Sequence, residues 1–180
     1  MRIRRDAQGL DAIDRAILEI LQRDCKTPLA KIGEQVDLSP PSILERVHKL
    51  EAEVFIRGYQ AMVDARRLGI DVTAFIGVSI GHPAAIGRFE GQLAALDDVL
   101  ECHHVTGEHT LLLKVKTRNT QSLEALIRAL REIDGVERTQ TSVVLSTKVE
   151  RSNLGHSAFA VEGSRAKRGR THAVTARRAS

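Results

Sequence analysis

Residues 27–54 read TPLAKIGEQVDLSPPSILERVHKLEAEV, and this stretch decides the fold of the first half of the chain. Thr27-Pro28 and Ser39-Pro40 each place a capping side chain before proline, the residue favoured at the first helical position. Apolar residues follow each pair at three- and four-residue spacing, which predicts two amphipathic helices joined by a three-residue turn. The apolar positions are Leu29, Ile32 and Val36, then Ile43, Val47, Leu50 and Val54.

Another amphipathic helix precedes this pair, between Leu10 and Leu21, so the pattern is typical of a helix-turn-helix unit. The last helix of such a unit enters the DNA major groove with its polar arc. The competing interpretation is an ordinary solvated helix face, which also carries charge. The candidate DNA-binding residues, expected to project away from the partner helices, are Ser39, Pro41, Ser42, Glu45, Arg46 and Lys49.

Beyond Gly58 the hydrophobic period changes. A segment at residues 59–63 has strand character, and strand-like alternation follows at residues 73–80, 99–105, 110–116 and 136–149. Helical spacing occupies residues 84–96 and 120–133. The order βαββαβ predicts a ferredoxin-like unit, in which an antiparallel sheet carries both helices on one face.

The formal net charge of +4 belongs to the C-terminal end of the chain. Residues 155–180 hold six Lys or Arg and one Glu, which leaves a charge of −1 for residues 1–154. DNA binding by the body of the protein must therefore come from local placement of charge. The low apolar content of residues 155–180 predicts a disordered basic tail.

Several classes of protein are disfavoured by what the sequence lacks. It has no GxSxG, P-loop, HExxH or GxGxxG motif, so we expect neither an enzyme nor a cofactor. His103 and His104 are successive strand residues that point to opposite faces, so we expect no metal site. An RNA-recognition module would present aromatic residues from its central strands, where this sequence offers only Phe75. Without a membrane-spanning run or an apolar signal segment, the expected location is the cytoplasm, with no membrane partner.

Four segments resemble the Lrp/AsnC family of regulators, also called feast/famine proteins. They are LDAIDRAILEILQRD (10–24), LSPPSILERVHKLEAEVFIRGYQAMVDARRLG (38–69), ECHHVTGEHTLLLKVKT (101–117) and IDGVERTQTSVVLSTKVERSNL (133–154). The resemblance implies an α+β protein: an N-terminal winged helix-turn-helix plus a C-terminal ferredoxin-like βαββαβ regulatory domain. It also implies a strand hinge at residues 56–63, subunits paired through the sheet, and dimers that associate further, commonly into octamers.

The same resemblance implies an amino-acid effector between regulatory domains, near the loop joining the second and third strands. The family commonly has Gly-Asp-aromatic-Asp there. In this chain Glu108 keeps an acceptor for an ammonium group, whereas His109-Thr110 replaces the second acid. The plainer alternative is a hairpin turn that uses a positive φ angle at Gly107. The candidate effector-binding residues are Thr106, Gly107, Glu108, His109 and Thr110.

The predicted organisation has four parts: a DNA-binding domain (1–60), a hinge (61–71), an amino-acid-sensing and oligomerisation domain (72–154) and the basic tail (155–180). The expected function is sequence-specific transcriptional regulation of amino-acid metabolism genes. Its partners would be double-stranded operator DNA, an amino-acid effector and further copies of the chain, in the cytoplasm and on the nucleoid. Two alternatives remain open at this point, an architectural DNA-wrapping protein with little ligand response and an amino-acid-binding subunit that controls a partner enzyme.

Overall fold

The structure, a computed structural model, describes residues 9–154. The predicted basic tail and the first eight residues lie outside the described residues. The described chain divides into two compact units, residues 9–61 with 151–154 and residues 62–150. Each unit contains its own hydrophobic core.

The first unit contains the three helices predicted from the hydrophobic spacing, α1 (Ala12–Arg23), α2 (Leu29–Val36) and α3 (Pro40–Ala52). Their apolar stripes meet in a core whose members are fully buried. Burying one such side chain stabilises a fold by about 1.5–3 kcal/mol, so this stripe is what holds the helices together. The residues with no exposed surface are Ile17, Ile32, Ile43 and Leu50.

The turn between α2 and α3 is tight and closes directly onto α2. Asp37 adopts the left-handed conformation with φ 61°, and the backbone nitrogen of Leu38 donates to the Gly33 carbonyl at 3.0 Å. A Cβ atom on Gly33 would lie 2.3 Å from the Leu38 carbonyl oxygen. The turn therefore closes because residue 33 has no side chain. Ser39 then caps α3, as predicted.

Two predictions at the ends of these helices are wrong. The N-cap of α2 is Pro28, and the Thr27 hydroxyl donates instead to the Asp24 carbonyl at 2.8 Å. Helix α3 ends at Ala52, because Val54 adopts φ 61°, a conformation that a right-handed helix does not contain. Val54 is consequently exposed and does not extend the apolar stripe.

The strand predicted at residues 59–63, and the strand hinge implied at residues 56–63, are not formed within the described chain. A strand requires a hydrogen-bonding partner, and the sheet found among residues 9–154 contains only the four strands of the second unit. The described part of the first unit is therefore a three-helix unit without a wing strand.

The second unit has the predicted βαββαβ order. Its strands are β1 (Val72–Ile80), β2 (Val99–His104), β3 (Leu111–Thr117) and β4 (Val136–Val143), and its α-helices are α4 (Ile86–Leu93) and α5 (Thr120–Glu132). Short 3₁₀ helices span Arg66–Leu68 and Pro83–Ala85. The sheet order is β2-β3-β1-β4 and all neighbouring strands are antiparallel, which confirms the ferredoxin-like arrangement.

Both helices cover the same face of the sheet. Phe89 of α4 and Leu130 of α5 are fully buried against alternate residues of the two central strands, including Ile76 and Leu113. Side chains in between point to the opposite face, where Phe75 is 38% exposed. One face of the sheet thus forms the core, and no described helix covers the other.

Two element boundaries differ from the predictions. The helix expected over residues 84–96 begins as a 3₁₀ turn and becomes α-helical only from Ile86 to Leu93. Strand β4 ends at Val143 rather than at residue 149, because its partner β1 begins at Val72 and pairs Ala74 with Val143. Among the described helices, none combines the length and apolarity needed to cross a membrane.

Candidate DNA-binding surface and effector loop

The first turn of α3 is held by two serines from the predicted set. The Ser39 and Ser42 hydroxyl oxygens lie 2.9 Å apart, and the Ser42 backbone nitrogen donates to Ser39 Oγ at 3.4 Å. Pro40 and Pro41 occupy the first two helical positions and have no N–H group, and the Ile43 nitrogen donates to the Ser39 carbonyl at 3.0 Å. This terminus therefore offers a phosphate group the two serine hydroxyls and the partial positive charge of the helix end, rather than free N–H groups.

The side of α3 opposite its apolar stripe is exposed. We call it the outer surface of α3, and it consists of Pro41, Leu44, Glu45, His48 and Lys49. Three of these belong to the predicted set, whereas Leu44 and His48 do not. The helical period alone assigns both to this side, so the sequence contained the signal for them. Ser39 is also exposed, and Ser42 is partly buried.

Arg46 does not project away with the outer surface. Its Nη1 atom lies 2.6 Å from Oδ1 of Asp14 and 2.7 Å from Oδ2 of Asp11, both at the start of α1. Lys49 Nζ lies 3.7 Å from the other oxygen of Asp14. We call these four residues the Asp14 cluster. The orientation predicted for Arg46 is wrong because two carboxylates of the neighbouring helix attract its guanidinium; its contact with DNA stays a prediction.

Asp11 and Asp14 were missed as functional residues, although one signal for them was present. An acidic residue followed by another three positions later, before an apolar run, is a capping pattern. The structure forms that capping box at the start of α1. What the pattern cannot indicate is that both carboxylates also face α3, since this depends on how the helices pack.

The loop between β2 and β3 is anchored on β1. We define the β2–β3 loop as residues 105–110. Gly107 supplies its turn with φ 115°, a conformation that favours glycine. The Thr110 backbone nitrogen donates to the Val78 carbonyl at 3.0 Å, and Thr110 Oγ1 accepts from the Ile80 nitrogen at 3.1 Å. These bonds fix the end of the loop against the central sheet.

The His109 ring packs against the backbone of β1 at Gly77. A Cβ atom on Gly77 would meet the imidazole ring at 2.2 Å, so the ring occupies the space that a side chain would take. His109 Nδ1 is 3.5 Å from the Ser79 hydroxyl. A glycine inside a predicted strand indicates such a close approach, and this was the one local signal for Gly77.

Glu108 brings the loop to β4, where its carboxylate forms an ion pair with the Arg138 guanidinium. Arg138 lowers the pKa of Glu108 below its ordinary value through this hydrogen bond and its charge. Arg138 was not predicted, because it reaches the loop through the pairing of Ser79 in β1 with Arg138 in β4. A carboxylate and a guanidinium therefore lie together beside the loop, the groups that bind ammonium and carboxylate respectively.

His103, one of the two histidines considered for a metal site, belongs instead to a group of side chains that pair with one another. Glu101 accepts from Lys114 Nζ at 3.0 Å and lies 3.1 Å from His103 Nε2. His103 and Lys114 lower the pKa of Glu101. Within residues 9–154, no three His, Cys, Asp or Glu side chains are grouped so that they could hold a metal ion.

A helix-turn-helix unit followed by a ferredoxin-like unit with a charged loop defines a two-domain transcriptional regulator. The family model of the AsnC-type helix-turn-helix domain matches residues 10–51, and that of the Lrp/AsnC ligand binding domain matches residues 73–154. The chain belongs to the Lrp/AsnC family, whose members are transcriptional regulators and not enzymes.

Individual relatives agree with this assignment over most of the chain. The transcriptional regulator FL11 of Pyrococcus abyssi is 33% identical over 146 residues, which are 81% of this chain and 96% of the relative. The structure of Escherichia coli AsnC matches at a TM-score of 0.75 and 32% identity, covering 80% of this chain and 97% of AsnC. The structure of a Neisseria meningitidis regulator in complex with L-methionine matches at a TM-score of 0.77 and 29% identity. The match covers 81% of this chain and 96% of the Neisseria protein.

Proposed function

We propose that this chain regulates amino-acid metabolism genes by binding operator DNA through α3 and an amino acid at the β2–β3 loop. The observation that carries the proposal is that the chain contains both features: an N-capped, exposed α3 in one unit and the ion pair of Glu108 with Arg138 in the other. The architectural DNA-wrapping alternative shares the first feature but gives no role to the second.

For DNA, the start of α3 supplies the phosphate contacts and its outer surface supplies the base contacts. The Ser39 and Ser42 hydroxyls and the partial positive charge of this helix terminus suit phosphate oxygens. Lys49 suits phosphate or a guanine edge, Glu45 suits the amino group of cytosine, and Pro41 offers apolar contact. We expect a pseudo-palindromic operator whose half-sites are about one helical turn apart, or a multiple of it.

Ser42→Asp is expected to weaken operator binding about tenfold or more while leaving α3 folded. An acidic residue in the first turn of a helix stabilises that helix, but it repels DNA phosphates. The measurement is the affinity for a duplex that the wild-type protein selects from a random-sequence pool, at several salt concentrations.

Ser122→Asp is a matched control for this change. Ser122 holds the same third position of α5 behind its own N-cap, Asn119, and is likewise partly buried. It lies in the second unit, so its substitution should leave DNA affinity unchanged. Equal losses from both substitutions, or none from Ser42→Asp, would count against α3 as the DNA-binding helix.

For the effector, we propose an amino acid bound beside the β2–β3 loop at residues 106–110. Glu108 would accept from its ammonium group, and Arg138 would pair with its carboxylate after the two side chains separate. Thr106, Gly107, His109 and Thr110 would shape the rest of the site. The L-methionine complex of the Neisseria regulator supports this class of ligand and supplies a first probe.

Glu108→Gln is expected to weaken the response to L-methionine about tenfold or more, because a charge-assisted hydrogen bond to the ammonium group becomes a neutral one. The response is measured as the shift in operator affinity and in sedimentation during titration with L-methionine. Glu124→Gln, which alters another exposed ion-paired glutamate on α5, is the control. A wild-type protein that responds to no standard amino acid would favour the architectural alternative. A response that survives Glu108→Gln unchanged would move the effector elsewhere.

We also propose that the chain assembles into dimers, and dimers into octamers, in the cytoplasm on the nucleoid. The sheet face that carries Phe75 offers a surface for pairing two copies. An effector bound near that assembly would bias how dimers associate and thereby change the spacing of α3 helices on DNA.

A further inference from the structure

We propose that Arg46 is a positioning residue: its ion pairs with α1 fix the angle at which α3 meets DNA, and it does not itself contact the operator. The proposal rests on the function proposed above, since it assumes that α3 is the recognition helix. It assigns to the Asp14 cluster a role that the helix-turn-helix pattern alone does not indicate.

The geometry of the cluster is specific on the side of α1. Asp14 Oδ2 accepts from the Asp11 backbone nitrogen at 3.4 Å, and Asp11 Oδ1 accepts from the Asp14 nitrogen at 2.7 Å. Each carboxylate thus spends one oxygen on capping α1 and offers the other to Arg46, at 2.7 and 2.6 Å. The capping box orients both acceptor oxygens without help from Arg46, so the guanidinium has one well-defined binding place.

Burial makes this arrangement costly to exchange for a phosphate contact. The Asp14 side chain is 1% exposed, whereas that of Arg46 is 28% exposed. A buried carboxylate without a partner is strongly unfavourable. If Arg46 turned to DNA, Asp14 would keep only the Asp11 backbone nitrogen, at 3.4 Å, and Lys49, at 3.7 Å, both on the same oxygen. The guanidinium is therefore retained by the carboxylates.

The ionisation behaviour agrees with this retention. The hydrogen bonds that Arg46 donates to Asp11 and Asp14 raise the pKa of Arg46, and the hydrogen bonds that the Asp14 backbone and Arg46 donate lower the pKa of Asp11. Both groups are held in their charged forms. An ion pair of this kind is directional, whereas the apolar contacts of Ile43, Val47 and Leu50 with the core are not. The cluster accordingly sets the rotation of α3 about its own axis.

Asp14→Asn separates positioning from direct contact, because it leaves Arg46 intact and removes a negative charge from the DNA-binding unit. On charge alone this change should tighten DNA binding. If Arg46 acts by position, it should instead lower discrimination between the selected duplex and a random duplex by about tenfold to hundredfold, the size of one lost base contact. The affinity for random DNA should not fall, and its salt dependence should not change.

Arg46→Met should have the same effect, and the double variant Asp14→Asn/Arg46→Met should be no worse than either single change. Arg46→Lys should restore part of the discrimination. Glu124→Gln/Arg128→Met removes an exposed ion pair within α5 and should change nothing. Thermal melting of each full-length variant checks that it is folded at the assay temperature. If Arg46→Met leaves Asp14 unpaired and fails to fold, the neutral double variant carries the test.

Three results would overturn the positioning role. In the first, Asp14→Asn binds the operator normally or more tightly, whereas Arg46→Met binds both duplexes more weakly. A salt slope of Arg46→Met that is reduced by about one would then mark a direct phosphate contact by Arg46. Another is full discrimination by the folded double variant. The last is a wild-type protein that selects no duplex at all, which removes the proposed function and the positioning role with it. Selection by the wild type together with either of the first two results removes the positioning role alone.

Discussion

Replacing Gly33 with alanine is expected to destabilise the helix-turn-helix unit by about 2 kcal/mol or more and to abolish operator binding at moderate temperature. The added Cβ would lie 2.3 Å from the Leu38 carbonyl oxygen, a backbone atom that moves only if the turn moves. Overpacking of this kind costs about 1–3 kcal/mol and sometimes more. Alanine gains up to about 1 kcal/mol over glycine within a helix, so the clash outweighs the gain.

The control is Gly91→Ala in the middle of α4, where an added Cβ meets no atom within 4 Å. The same chemical change there should stabilise the protein by about 0.5–1 kcal/mol. Hydrogen exchange measured by mass spectrometry assigns each change to its unit, and it is needed because the chain contains no tryptophan. Unchanged protection of α2 and α3 in Gly33→Ala would refute the proposed packing of the turn.

Phe89→Ala is expected to destabilise the second unit by about 3–5 kcal/mol, the usual cost of removing a buried phenylalanine. Phe89 is the largest fully buried side chain, and it fills the space between α4 and the sheet. The transferred surface and the cavity left behind both contribute to the cost. Urea unfolding followed by circular dichroism gives the magnitude, and hydrogen exchange should assign the loss to the four strands and α5.

Leu145→Ala provides the contrasting case, because Leu145 is 94% exposed in the same unit. Surface substitutions of this kind usually change stability by no more than about 0.5 kcal/mol. Phe89→Leu, which retains most of the buried volume, should lose less than Phe89→Ala. A loss below about 1 kcal/mol for Phe89→Ala would mean that α4 does not form the core described.

Hydrophobic spacing was sufficient to predict the helices and the order βαββαβ, because burial imposes the periods of 3.6 and 2 directly on the residues. The capping residue before proline predicted the Ser39 cap, since capping is a local interaction. The same rule failed at Thr27, and the spacing failed at Val54, because both outcomes depend on how the chain turns next to the helix. The strand expected at residues 59–63 failed for a different reason, because strand pairing is a property of two segments.

The candidate sites show the same division. Ser39, Pro41 and Glu45 are exposed as expected, because their exposure depends only on local helix geometry, and their contact with DNA stays a prediction. The direction of Arg46 depends on Asp11 and Asp14 across the core, and a helical wheel of α3 does not contain that information. Similarly, Arg138 reaches Glu108 only through the register of β1 with β4. Long-range ion pairs are thus what remained unpredictable from local sequence.

All four members of the Asp14 cluster lie between residues 11 and 49. The residues proposed to orient α3 therefore all belong to the first unit. The DNA-binding unit should therefore keep its operator specificity when it is joined to a different ligand-binding domain, in evolution or in engineering.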